Sequence, residues 1–429
     1  MSGDAFCFVH AADLHLDTPF SGLAAIAPHV AGELREASLH AFEAIVELAL
    51  ERGVAFALFA GDIYDGPERG LRAQLRFRDG LERLAAAGVE SFVVHGNHDP
   101  LHSGWSAIST WPAGVTIFGP NEPTVVPVRR DGTQIATVQG ISYAQRAETE
   151  NLALRLRRPT GPGVHIGLLH CNLEGAGGEH ANYSPCSLDD LRRSGLDYLA
   201  LGHVHALMIH AGAMSGDPWV VYPGTSQARS ARAGELGAKG AVVATVRDGA
   251  IASVEFVACD AVRFGIAEVE ITALADLAAL VDACEDAGRR ALEEADGRAL
   301  VLRARIGGAG TLHGALARPG VREELVRALR DRADALRPLL WWDALIDDSR
   351  PLLDLGALRG RGDFSADLLA VADALRAEPG AAAVLLGEIG LPPRSMLRAY
   401  EDALDSDTLE ALVETATDIA LTALQIEDA

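Results

Sequence analysis

The chain is 429 residues long, 49% hydrophobic and 23% charged, with a formal net charge of −23. At a prior of ~150 residues per domain, that length allows two or three domains and a substantial core. The acidity runs against the basic footprint usual in nucleic-acid binders, and no apolar stretch approaches the ~18 uninterrupted residues of a membrane-spanning helix.

Apolar runs bounded by Gly, Asp and Asn predict buried strands. The first, Phe6-Cys7-Phe8-Val9, leads to Asp13-Leu14-His15. A helical segment from Glu33 to Arg52 follows, then a second strand from Val54 to Phe59 that ends at Gly61-Asp62, with Asp65 three residues on. A second helix is expected from Glu68 to Ala87, where Arg69, Arg72, Arg76 and Arg83 recur at helical spacing and read first as a solvated face. The third strand, Phe92-Val93-Val94, runs into Gly96-Asn97-His98-Asp99. Val164 to Leu169 ends at His170, and Tyr198 to Leu201 ends at Gly202-His203-Val204-His205. A hairpin is expected over Ala241 to Val246 and Ile251 to Val257, turning at Asp248-Gly249. Beyond it come a strand (Ile266 to Ile271), a helix (Leu274 to Glu294), a strand (Ala299 to Ile306) and a helix (Val321 to Leu336). From about residue 350 the pattern is helical, broken near Pro379-Gly380 and Leu391-Pro392-Pro393. The expected organisation is a domain over 1–262, a small α/β domain over 263–345 and a helical region over 346–429.

Metal-type residues thus stand where five strands end, the place where open α/β sheets build ligand sites. Asp13, His15, Asp62, Asn97, His170, His203 and His205 offer carboxylate, amide oxygen and imidazole, with no thiolate. That set suits Mn, Fe or Zn and argues against a Cys-rich structural zinc. Seven ligands are too many for one catalytic ion and suit two that share a carboxylate. Such ions sit roughly 3.5–4 Å apart and clamp the attacking and leaving oxygens of an in-line displacement. Asp62, at the end of a central strand, is the expected bridge.

The ordered series D-x-H, G-D-x-x-D, G-N-H-D, a strand-terminal His and G-H-x-H resembles the calcineurin-like metallophosphoesterase superfamily. The strings His10-Ala11-Ala12-Asp13-Leu14-His15-Leu16-Asp17 and Tyr222-Pro223-Gly224-Thr225-Ser226-Gln227-Ala228-Arg229 narrow the resemblance to bacterial SbcD/YhaO-type DNA repair exonucleases, over about residues 5–265. The resemblance implies a four-layer α/β/β/α sandwich of two mixed sheets between helices, with the 263–345 unit as a capping domain. It gives one ion to Asp13, His15, Asp62 and His205, and the other to Asp62, Asn97, His170 and His203. Manganese is the first choice, with iron or zinc as alternatives. His98 is implied to contact the scissile phosphate and assist the leaving oxygen, with Asp65 orienting it. Archaeal and eukaryotic nucleases of this group tend to carry histidine at the Asp65 position, a departure that bears on exonuclease against endonuclease activity. Arg229 is the candidate phosphate contact. The implied partners are DNA and an SMC-like coiled-coil ATPase of the SbcC type docking near the C-terminus, with a second copy of the chain as a further candidate and no membrane.

Three function classes follow. The first is a metal-dependent DNA exo- or endonuclease. The second is a phosphodiesterase for small cyclic or nucleotide diesters or phosphoproteins, which the acidity favours. The third, a non-catalytic scaffold, is disfavoured because all seven ligands are present. The charge is −10 over residues 1–260 (19 basic, 29 acidic) and −13 over the remainder (18 basic, 31 acidic). Lys239 is the sole lysine, an arginine bias that reads as codon usage in a GC-rich genome. Cys7, Cys171, Cys186, Cys259 and Cys284 are odd in number and form no C-x-x-C pair, as expected of reduced thiols in the cytoplasm. The start of the chain lacks the features of a signal peptide. Trp341-Trp342 reads as packing, with stacking on an unpaired base as the alternative. In the last helix, Leu409, Leu412, Val413, Ala416, Ile419, Ala420 and Leu424 share one face, read as docking on its own domain before a partner.

Overall fold

The computed structural model describes residues 5–16, 18, 28–66, 70–102, 105–174, 182–212, 216–377 and 412–421. The chain divides into two compact units. One comprises 1–266, 288–303 and 332–343, and the other 267–287, 304–331 and 344–429.

The first unit is built on two six-stranded mixed sheets. One has the order Ala250–Ala258, Gly240–Arg247, Phe6–Ala11, Phe56–Ala60, Glu90–Val94, Val115–Ile117. Its central pairs are parallel, while Phe6–Ala11 meets Gly240–Arg247 antiparallel. The other runs Met208–His210, Trp219–Tyr222, Tyr198–Gly202, Val164–His170, Thr133–Ile141, Thr124–Arg130. Here too the centre is parallel and both edges are antiparallel.

Strands covered on both faces need apolar residues at every position, which explains their continuous rather than alternating runs. Phe8, Phe56, Leu58 and Phe92 of the first sheet meet Val138, Ile166, Leu168 and Tyr198 of the second in the inter-sheet core. Phe8 stacks on Phe56 with ring centroids 4.9 Å apart and meets Tyr198 edge-on at 5.1 Å. The opposite face of the first sheet, Val9, Ala57, Phe59 and Val93, packs against helices Pro28–Glu51 and Leu71–Ala86 through Phe42, Ile45, Phe77 and Leu81. Leu169, Leu199 and Leu201 on the outer face of the second sheet are covered by Leu152, Leu156 and Leu191. The layers therefore run helix, sheet, sheet, helix, as the family resemblance implies.

All five motif-bearing strands and the 240–258 hairpin form where the sequence places them. The first helix begins five residues earlier than expected, at Pro28, because a proline at the first helical position lacks only an N–H that would be unpaired there. The arginine stripe is solvent-exposed, as expected, and is also paired. Arg72, Arg76 and Arg83 pair with Glu36, Glu43 and Glu47 of the neighbouring helix, the Arg76–Glu43 contact measuring 3.0 Å. Arg69 lies outside the described residues. Trp341 and Trp342 are buried on strand Leu340–Asp347, Trp341 in a cluster with Val30, Leu34, Phe264 and Leu339, so packing accounts for the pair.

In the second unit, Leu358, Leu369 and Leu421 form a small core, joined by a pair formed by Ala372 and Val413. Residues 412–421 bury Val413, Thr417 and Leu421, while Leu412 and Ile419 remain exposed. The covered face is thus a narrow i, i+4, i+8 stripe offset from the broad one expected. Leu409, Leu424 and the breaks near Pro379 and Leu391 lie outside the described residues. Among the described residues no helix is long and apolar enough to cross a membrane.

Candidate metal centre

The ligand candidates sit on loops leaving the carboxyl ends of five adjacent parallel strands, two sheets contributing to one cleft. The loops are tied together through the backbone. Asp13 N donates to Gly61 O (3.1 Å) and His15 N to Asp62 O (3.0 Å). The Thr225 hydroxyl donates to Asp13 O at 2.8 Å, which brings the Tyr222–Arg229 loop to the same place. Asp99 binds the third loop to the second: its carboxylate accepts from Ile63 N and Gly96 N and faces His95 Nδ1 at 2.9 Å.

The backbone is left-handed where the chemistry is concentrated. Asp13 (φ 50°), His15 (φ 44°), Asp62 (φ 49°) and His203 (φ 103°) all have positive φ. Such conformations are uncommon for residues other than glycine and cost about 1–3 kcal/mol each when sparsely populated, so a surrounding structure must hold them. Two glycines are dictated by close approach. A Cβ at Gly96 would lie 2.3 Å from Asp62 Oδ1 and 2.7 Å from His170 Nε2, and one at Gly202 would lie 1.9 Å from Ala60 O.

Seven predicted ligands come together. In one group His15 Nε2 faces His205 Nε2 at 3.3 Å, and Asp13, His15 and His205 each offer a ligand atom within 4.8 Å of the others. In the neighbouring group Asn97 Oδ1 lies 3.1 Å from both His170 Nε2 and His203 Nδ1. Asp62 stands between the groups, its Oδ2 3.4 Å from His170 Nε2 and 3.9 Å from His15 Nε2. Carboxylate, amide-oxygen and imidazole atoms that converge in this way suit a cation, and the nitrogen and oxygen donors fit a borderline divalent ion.

The electrostatics agree. Burial pushes the His15 imidazole down to about 3, with Arg229 adding to the effect, so the ring is neutral: Nδ1, 3.1 Å from the Asp65 carboxylate, carries the proton and the Nε2 lone pair is available as a ligand. Burial alone would lower His170 as well, but Asp62, then Asp13, raise it to about 10. The same pairing works on Asp62, whose carboxyl burial would raise but His170 and His15 hold well below the usual range; a cation between the two would take the place of the His170 proton. Burial pushes the Asp13 carboxyl up. A buried carboxylate cluster of this kind calls for cations.

His98 is placed beside these groups. Its backbone N–H donates to Asp62 Oδ1 at 2.9 Å, and its ring Nδ1 lies 2.9 Å from the main-chain carbonyl of Asp65. The Asp65 carboxylate is 3.6 Å from that nitrogen and nearer to others: 3.1 Å from His15 Nδ1 and 2.7 Å from an Arg229 nitrogen. His15, Arg229 and His98 outweigh burial and lower the Asp65 carboxyl. Arg229 also lies 3.8 Å from Glu235, leaving its buried Nε without a partner. Sequence reasoning missed Asp99, which motif membership could have flagged, and Glu235, whose carboxylate faces His205 Nδ1 at 3.5 Å. The isolated lysine four residues after Glu235 was the signal available for it.

A cleft of paired carboxylates and imidazoles at the ends of two stacked mixed sheets defines a metallophosphoesterase. Residues 7–207 match the calcineurin-like phosphoesterase family, and residues 264–350 match the middle domain of metallophosphoesterase YhaO. Residues 7–207 thus form a calcineurin-like metallophosphoesterase domain. It is 39% identical over 279 residues to the uncharacterized metallophosphoesterase YhaO of Bacillus subtilis strain 168, covering 65% of this chain and 66% of that protein. It is 29% identical over 230 residues to the DNA double-strand break repair protein Mre11 of Aeropyrum pernix, covering 50% of this chain and 52% of that one. A protein of the same name from Thermoplasma acidophilum is 26% identical over 196 residues, 44% of this chain and 50% of its own. The matches thus span half to two thirds of the length of these relatives.

Proposed function

We propose that the protein is a two-metal-dependent DNA nuclease that hydrolyses phosphodiester bonds in DNA repair. The observation that carries this reading is the pair of adjoining donor groups around Asp62 with His98 at their side, and the similarity to two DNA double-strand break repair proteins supports DNA as substrate. One ion is assigned to Asp13, His15, Asp62 and His205, the other to Asp62, Asn97, His170 and His203. Manganese is the first choice, with iron or zinc suited to the same donors. Bound there, such a pair would offset charge on the phosphoryl oxygens and lower the pKa of a bound water to about 7.

The remaining work falls to the chain's own side chains. His98 Nδ1–H donates to the Asp65 carbonyl, which makes Nε2 the atom that takes up a proton and returns it to the departing sugar oxygen. Asp65 acts on His98 through that carbonyl and through its carboxylate at 3.6 Å, while holding His15 and Arg229. Arg229, held by the Asp65 carboxylate at 2.7 Å, is the candidate phosphate contact. The same reading treats 1–262 as the catalytic domain, 263–345 as a capping domain and 346–429 as the region that meets an SMC-like ATPase, with the whole working in the cytoplasm.

A second reading, hydrolysis of small phosphodiesters, is favoured by the charge of −23 and by the pairing of arginines such as Arg72, Arg76, Arg155 and Arg158 with acidic side chains. A Mn2+ assay comparing end-labelled DNA, cyclic nucleotides and bis-nitrophenyl phosphate separates the two. Release of nucleotides from DNA is expected; rapid turnover of small diesters with inert DNA would select the second reading.

A further inference from the structure

Of 37 basic residues outside histidine, 36 are arginine, and the exception is buried. Lys239 is only 7% exposed, and its Nζ donates to the main-chain oxygen of Gly234 at 2.9 Å. That bond fixes the short 3₁₀ turn Ala233–Glu235. Lys239 is fixed in turn by its own carbonyl, which accepts from Cys259 N and Asp260 N at 2.9 and 3.1 Å. A compact ammonium on a flexible stem reaches a single carbonyl in a closed space where a planar, wider guanidinium does not. Codon usage explains the arginines; packing explains why this one position has not joined them.

The turn delivers Glu235. One of its oxygens accepts from Arg229 N (2.6 Å), Ser230 N (2.9 Å) and the Ser230 hydroxyl (3.3 Å), which locks the carboxylate to the Tyr222–Arg229 loop. The other oxygen faces His205 Nδ1 at 3.5 Å, while His205 Nε2 faces His15 Nε2 across the metal group. A carboxylate acceptor on Nδ1 keeps the proton on that nitrogen and leaves the Nε2 lone pair for a cation, the usual arrangement behind a metal-bound histidine.

We propose that Glu235, held by Lys239, is a positioning residue for the ion assigned to His205, fixing that imidazole's tautomer and direction. This rests on the two-metal reading above, in which His205 is a ligand.

The test uses the full-length protein titrated with Mn2+ alone, followed by calorimetry and by the EPR signal of free and bound Mn2+. Wild type is expected to take up two ions. Glu235→Gln keeps an oxygen for the Arg229 and Ser230 N–H groups but turns an N–H2 toward His205, so one ion should bind about tenfold or more weakly and the other unchanged. His205→Ala should lose the same ion, and adding Glu235→Gln to it should weaken binding no further. Wild type holding two ions while Glu235→Gln binds both at wild-type affinity overturns the positioning role alone. Wild type holding fewer than two overturns the two-metal reading and this one with it. Should Glu235→Gln not fold, Lys239→Met carries the test: the same ion should weaken at least threefold, and unchanged affinity at both sites overturns the proposal.

Discussion

His98 is the residue whose role separates chemistry from assembly. Its ring is not among the seven assigned ligands, and its backbone N–H, which a substitution keeps, is what braces Asp62. His98→Ala should therefore retain close to two Mn2+ per chain by metal analysis while hydrolysis falls by about 10² or more, the usual scale for a lost acid/base group. A second histidine, His10, is buried beside Tyr198, whose hydroxyl lies 3.2 Å from its Nδ1, and burial pushes its imidazole down to about 3. Its folded pKa lies below its unfolded value near 6.5, so the unfolded chain binds the extra proton. Stability is then lost as pH falls below ~6.5, at up to ~1.4 kcal/mol per pH unit until the folded pKa is reached. His10→Gln keeps a polar partner for Tyr198 without that proton, and its melting temperature should fall less steeply than wild type between pH 6.5 and 5. At this scale the sequence was most informative: the seven candidate ligands were legible as metal-type residues standing after five apolar runs, and the fold brings them together. The partners of Asp65 were not, since which of two histidines a carboxylate faces depends on loop geometry that residue types do not encode.

At the scale of elements, the two tight glycines make opposite predictions. The Cβ of Gly96→Ala would press on the ends of two ligand side chains, Asp62 and His170, which can shift. That variant should fold with a melting temperature near wild type and bind Mn2+ more weakly by calorimetry. The Cβ of Gly202→Ala would meet the Ala60 carbonyl at 1.9 Å, a main-chain atom that cannot swing aside, and overpacking of that kind costs about 1–3 kcal/mol. It should lower the melting temperature by several degrees even in the presence of chelator. Strand recognition shows a similar division. Central strands announced themselves because both faces are buried. Thr124–Arg130 did not, being largely exposed and interrupted by Pro127, and Val115–Ile117 is only three residues long. Edge strands owe their form to neighbours rather than to their own pattern. The arginine stripe was visible at once, yet its acidic partners lie more than thirty residues away on another helix, beyond the reach of local periodicity.

For the whole molecule, cations and stability are linked. The strained ligand backbones and the buried carboxylates both favour a bound divalent ion, and a ligand that binds only the folded state stabilises it by ~2.7 kcal/mol when its free concentration is 100 times Kd. Removing metal with a chelator should lower the melting temperature, and Mn2+ restored in excess should return it. An unchanged melting curve would show that the centre holds no ion tightly. The four-layer architecture was legible from the order of motifs, whereas the division of the chain into two discontinuous units was not, because segments such as 288–303 join the first unit across long stretches of sequence.

The enclosure of Lys239 gives this chain an unusual analytical handle. Reagents selective for ε-amines have a single target in the folded molecule, and it is sealed behind the turn it secures. Uptake of such a label over time would report the opening of that turn directly, as a clock on the loop beside the cleft, with no background from any other lysine.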